Sequence, residues 1–116
     1  MAVRPNEHKL NLLQWNSLSI VAHKMELIGL INSYSPQVIS LSETWLRKDS
    51  YFMIPGYNIL RKDRPDGKGG VALLIHNSLH FNPIDIASPN ESVEAVAASI
   101  LLSDNETINI CAPEGI

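Results

Sequence analysis

Two short apolar runs, KLNLLQWN (9–16) and VISLSE (38–43), bracket a helical pattern, and this arrangement limits the fold more than any other feature of the chain. KLNLLQWN is apolar on both parities in its middle, as suits a strand covered on both faces. Between the runs, SIVAHKMELIGLINSYS (19–35) sets Val21, Met25, Ile28 and Ile31 at helical spacing, with His23, Glu26, Gly29 and Ser33 on the other side. Ser19 suits an N-cap and Pro36 marks the stop, so a helix is predicted over 19–35. VISLSE is short and rich in strand formers. The first 43 residues therefore predict a β-α-β unit, two parallel strands joined by a right-handed crossover.

Beyond residue 43 the pattern changes. IPGYNILRKDRPDGKGG (54–70) is dense in Pro and Gly around one short strand, YNILRKD. GGVALLIHNSL (69–79), ESVEAVAASILLS (91–103) and ETINICAP (106–113) follow as strands. PDGKGG and SDNE are turn-like connectors, which predict antiparallel neighbours. The expected class is mixed α/β, helical early and strand-rich late, within one domain over 1–116.

Composition excludes several alternatives. With 45% hydrophobic and 18% charged residues the chain is globular rather than disordered. No apolar stretch approaches the roughly 20 residues that span a bilayer. MAVRPNEHKL lacks a signal-peptide core, so an intracellular protein, nuclear or cytoplasmic and not secreted, is expected. Cys111 is the single cysteine, which rules out an intrachain disulfide and a Cys-rich zinc site.

The net charge of −3 makes the whole chain no magnet for nucleic acid, but the distribution is uneven. Six of the nine basic residues (Arg47, Lys48, Arg61, Lys62, Arg64, Lys68) fall between 47 and 68. That segment is either a local basic patch or a solvated turn-rich loop.

Asn16 and Glu43 close the two apolar runs of the β-α-β unit. On neighbouring strands both would emerge at the C-terminal strand edge, where open α/β sheets place ligands. A carboxylate and an amide there could hold Mg²⁺, which prefers oxygen donors. In the plainer reading Asn16 begins a turn and Glu43 caps a loop. GKGG (67–70) is no phosphate loop, because no Lys-Ser/Thr pair follows and a strand comes next. His8, His23, His76 and His80 lack metal-ligand spacing, and Trp15 and Trp45 read as core or rim packing.

In series, QWN, ETWL, PGY, R-x-DR and GGVALLI resemble the endonuclease/exonuclease/phosphatase superfamily over about residues 9–111. The likeness is to its apurinic-endonuclease-like branch in the polyproteins of non-LTR, jockey-type retrotransposons. This resemblance implies a four-layer αββα sandwich that hydrolyses phosphodiester bonds with Mg²⁺ or Mn²⁺. Glu43 would then be the metal ligand and Asn16 its partner at the metal and phosphate site. Arg61, Lys62, Arg64 and Lys68 become candidates for the DNA backbone. The family's active-site Tyr, Asp-x-Asn and Asp-His motifs have no counterpart here, so the resemblance implies the N-terminal half of the domain, inactive alone. Such a half is expected to leave an apolar sheet face uncovered and to self-associate through it. A non-enzymatic binding remnant and a phosphoinositide or phospholipid phosphatase of the same fold stand as alternatives.

Overall fold

The structure, a computed structural model, describes residues 10–85, 95–103 and 105–113. It opens with the predicted β-α-β unit: β1 (Leu12–Asn16), α1 (Lys24–Tyr34) and β2 (Val38–Ser42), with β1 and β2 parallel and Asn16 paired with Ser42. Next come β3 (Tyr57–Lys62), β4 (Val71–His76), β5 (His80–Ile84), β6 (Ala95–Ser103) and β7 (Glu106–Pro113). The first sheet has the order β1-β2-β4-β3 and the second β5-β6-β7. Both expected turns join antiparallel neighbours, β3 with β4 and β6 with β7. Residues 9 and 91–94, included in the predicted strands, lie outside the described residues.

β4 reads VALLI and is buried along all five of those residues, because it lies inside the first sheet with layers on both faces. Ala72 and Leu74 face one core with Ile39 and Leu41, while Leu73 and Ile75 face a second core with Val38. The first core is closed by Leu27 of α1 and by Leu46, Phe52 and Ile54 from the long β2–β3 connection. The second lies between the sheets and takes Ala98, Ile100 and Ala112 from β6 and β7. Burial of each large aliphatic contributes about 1.5–3 kcal/mol. The described residues thus build a helix-and-loop layer, a sheet and a second sheet.

Two expectations need correction. The helix starts at Lys24 rather than at Ser19, because Ser19 N–H and Ile20 N–H donate to the carbonyls of Glu43 and Thr44. Tied to that loop, Leu18 and Ser19 take left-handed φ values of +43° and +80°. The buried stripe also differs: Val21 and Met25 are 61% and 76% exposed, whereas Ile20 and Leu27 carry the contact.

The expected bare apolar face is absent from the first sheet, which is covered on both sides. The outer parity of the second sheet includes Ser99, Asn109 and Thr107, with Leu101 its large exposed aliphatic on β6. Strands β3 and β4 pack on β6, and β2 and β4 on β7. β1 and β7 are therefore edge strands on one side of the sandwich.

Candidate functional site

The C-terminal ends of β1 and β2 are held by an unusual piece of backbone. Glu43 and Trp45 have φ of +54° and +56°, and with Leu18 and Ser19 they make four of the five non-glycine residues with positive φ among the described residues. Each such residue costs on the order of 1–3 kcal/mol and persists only where the surroundings dictate it. Those surroundings are on both sides. Ser17 Oγ donates to the carbonyls of Ser42 and Glu43, each at 3.0 Å. From the other side Thr44 N–H and Trp45 N–H donate to the carbonyls of Gly70 and Gly69, at 3.2 and 2.8 Å.

This stitching decides where Glu43 goes. Strand parity groups Glu43 with Ile39 and Leu41, which face the helix layer, and Asn16 with Leu12, on the inter-sheet side. The left-handed turn ends β2 at Ser42 and releases Glu43 from that parity. Asn16 is the last residue of β1 and pairs with Ser42, so both polar residues sit at the same strand edge. Trp45 Nε1 donates to Glu43 Oε2 at 2.8 Å, a bond between the carboxylate and a half-exposed indole. Trp45 is thus a rim residue with a polar task that sequence reasoning missed. The adjacent letters E-T-W were the available signal.

Between them Thr44 is fully buried, and its Oγ1 meets no hydrogen-bond partner. An orphan of this kind costs about 1–3 kcal/mol. Thr44 Oγ1 lies only 2.6 Å from where a side chain on Gly70 would begin, which accounts for glycine there.

The four basic candidates separate. Lys62 is exposed at the end of β3, and Lys68 is exposed in the β3–β4 turn with its N–H bonded to Asp66 Oδ1. Arg64 pairs across 3.4 Å with Asp66, both half-exposed. Arg61 instead points into the helix-side layer, with 19% of its side chain exposed. Its Nη2 donates to the carbonyls of Arg47 and Ser50, at 3.1 and 2.7 Å, and its Nε pairs with Asp63 Oδ2 at 3.2 Å. Burial raises the Asp63 carboxyl above the usual range, with the Arg61 guanidinium opposing that shift. Arg47, unassigned on sequence grounds, packs its guanidinium over Gly67.

Among the described residues no cluster of three or more His, Cys, Asp or Glu side chains is placed to hold a metal. No helix among them is long and apolar enough to cross a membrane.

No family model matches the chain, and no curated protein matches its sequence. Solved structures do. The AP endonuclease LMAP of Leishmania major superposes with a TM-score of 0.71 at 19% identity, over 90% of this chain and 39% of its own. The human Nocturnin catalytic domain, solved with a bound sulfate, gives 0.65 at 18%, over 88% and 48%. The 3′ phosphatase NExo from Neisseria, solved with a product DNA hairpin, gives 0.59 at 17%, over 87% and 40%. The chain therefore spans less than half the length of each. All three are endonuclease/exonuclease/phosphatase-fold proteins, and the described residues adopt part of that fold.

Proposed function

We propose that the chain is part of a metal-dependent DNA endonuclease domain of the kind carried by non-LTR retrotransposon polyproteins. Glu43 is its metal ligand and Asn16 supports the metal and phosphate. The observation that carries this reading is the seat of Glu43: a strained, doubly stitched turn at the strand edge beside Asn16, in a fold shared with an AP endonuclease. Strain held by so many bonds is characteristic of functional sites.

The donors suit Mg²⁺ or Mn²⁺ in kind, since both are hard oxygens. Trp45 occupies one carboxylate oxygen and so fixes the orientation of the other. Two protein oxygens leave most of a hexacoordinate shell to water, so affinity in this chain is low. A bound cation would neutralise charge at the scissile phosphate. Lys62, Arg64 and Lys68 line the turn that leads into the Gly69 and Gly70 carbonyls, and are proposed to meet the DNA backbone. A phosphomonoester substrate is the second reading, favoured by the likeness to a 3′ phosphatase.

Manganese titration followed by electron paramagnetic resonance tests the assignment. We expect weak binding by the 116-residue chain, lost in Glu43→Gln, and no nicking of supercoiled plasmid. Binding that is unchanged in Glu43→Gln removes Glu43 from the role. Preference for a 3′-phosphorylated end over intact duplex would favour the phosphatase reading.

A further inference from the structure

Arg61 is bonded to the carbonyls of Arg47, Lys48 and Ser50 and to the Asp63 carboxylate. Its guanidinium ties both ends of the Arg47–Ser50 turn, which is itself closed by Ser50 N–H to the Arg47 carbonyl and by Arg47 N–H to Ser50 Oγ. That turn begins two residues after Trp45, with the fully buried Leu46 as anchor between them. Asp63 holds the guanidinium from behind, and its side chain is only 6% exposed. Asp63 also reaches the other support of the site, since its Cα lies 3.8 Å from the point where a Gly70 side chain would start, beside Thr44 Oγ1. A guanidinium with four oxygen partners, mostly withdrawn from solvent, is poorly placed to meet a nucleic-acid phosphate.

We propose that Arg61 and Asp63 are positioning residues that hold the turn after Trp45, and through it fix the Trp45 indole on the Glu43 carboxylate. The ion pair sets the height of the 47–50 turn over β3, Leu46 transmits it, and Trp45 receives it in a backbone conformation it would not hold alone. The catalytic meaning of this clamp rests on Glu43 being the metal ligand. The hydrogen bond it controls does not.

The test is the indole N–H resonance in ¹H–¹⁵N spectra of the chain, where Trp45→Phe identifies which of the two tryptophan signals belongs to Trp45. Loss of the bond to Glu43 moves that signal upfield. In Arg61→Lys and Arg61→Gln we expect the Trp45 signal to move or broaden while the Trp15 signal stays, and Mn²⁺ broadening of Trp45 to need about ten-fold more metal. Lys62→Gln, which removes an exposed charge next door, should leave both signals in place. An unmoved Trp45 signal in both Arg61 variants overturns the proposal. Should Arg61→Gln lose both signals through unfolding, Asp63→Asn decides by the same criterion. If Glu43→Gln leaves Mn²⁺ broadening intact, the metal reading fails, and the clamp is then judged on the indole shift alone.

Discussion

Glu43 shows how far single residues were legible. A carboxylate closing an apolar run is readable as a strand-edge group, because an unpaired buried charge is so costly. The turn that aims it was not readable, since nothing in E-T-W announces left-handed backbone at two residues that ordinarily avoid it. Arg61 was illegible for another reason. Its partners are carbonyls 11 and 14 residues back, and a basic residue in a basic run carries no mark of facing inward. Its anion gives a prediction. Burial raises the Asp63 carboxyl, whereas the Lys68 N–H lowers that of Asp66. Carboxyl ¹³C titration should therefore show Asp63 protonating first as pH falls, with Asp66 well after it. Between the ordinary carboxyl value and the raised one, the folded chain holds the extra proton. Asp63 alone thus makes stability fall as pH rises through that window, its contribution complete below the ordinary value and lost above the folded one. Coincident midpoints would mean that Asp63 is hydrated rather than buried.

At the scale of elements, strands were legible and their neighbours' demands were not. β4 declared itself by apolar residues on both parities, while β5 (HFNPI) went unpredicted because Pro83 and the weak alternation argue against a strand. An edge position tolerates that proline. The helix start moved because the segment before it was claimed by the Glu43 loop, a tertiary demand invisible to capping rules. The β3–β4 turn meets the same loop at Gly70, and that contact is testable. Gly70 has φ of +89°, and an added methyl would sit 2.6 Å from Thr44 Oγ1. Gly70→Ala should cost about 1–3 kcal/mol in urea unfolding. Adding Thr44→Ala should lessen the penalty without abolishing it, since the clash goes and the backbone strain stays. A neutral Gly70→Ala would show that the turn can retreat from Thr44.

At the scale of the whole molecule, the described residues form both sheets of the sandwich rather than one. The two sheets meet through Val38, Leu73, Ile75, Ala98, Ile100 and Ala112, so the core expected to be bare is closed. Among the described residues β3 and β5 are edges too, bearing Lys62 and Pro83, and on the other side of the sandwich β1 and β7 each lack an outer strand neighbour. Neither of these last two carries the usual protection of an edge. LLQWN has no charge, and ETINICAP has one acid at its start, no lysine, and a proline only at its last residue. Leu12 and Ile108 are exposed beside these edges and add apolar area to unpaired backbone. Association should therefore run edge to edge, by strand addition, rather than face to face through a sheet surface. Sedimentation velocity on the 116-residue chain should show mass rising with concentration. Gln14→Lys with Asn109→Lys places a charge on each open edge without touching either buried core, and should return the chain to monomer. The same pair should leave the thermal midpoint almost unchanged, because both positions are exposed. Association that survives both lysines would shift attention to the outer face of the second sheet, where Leu101 and Ile84 are exposed. A monodisperse wild-type monomer at high concentration would show that these edges are closed by some other means.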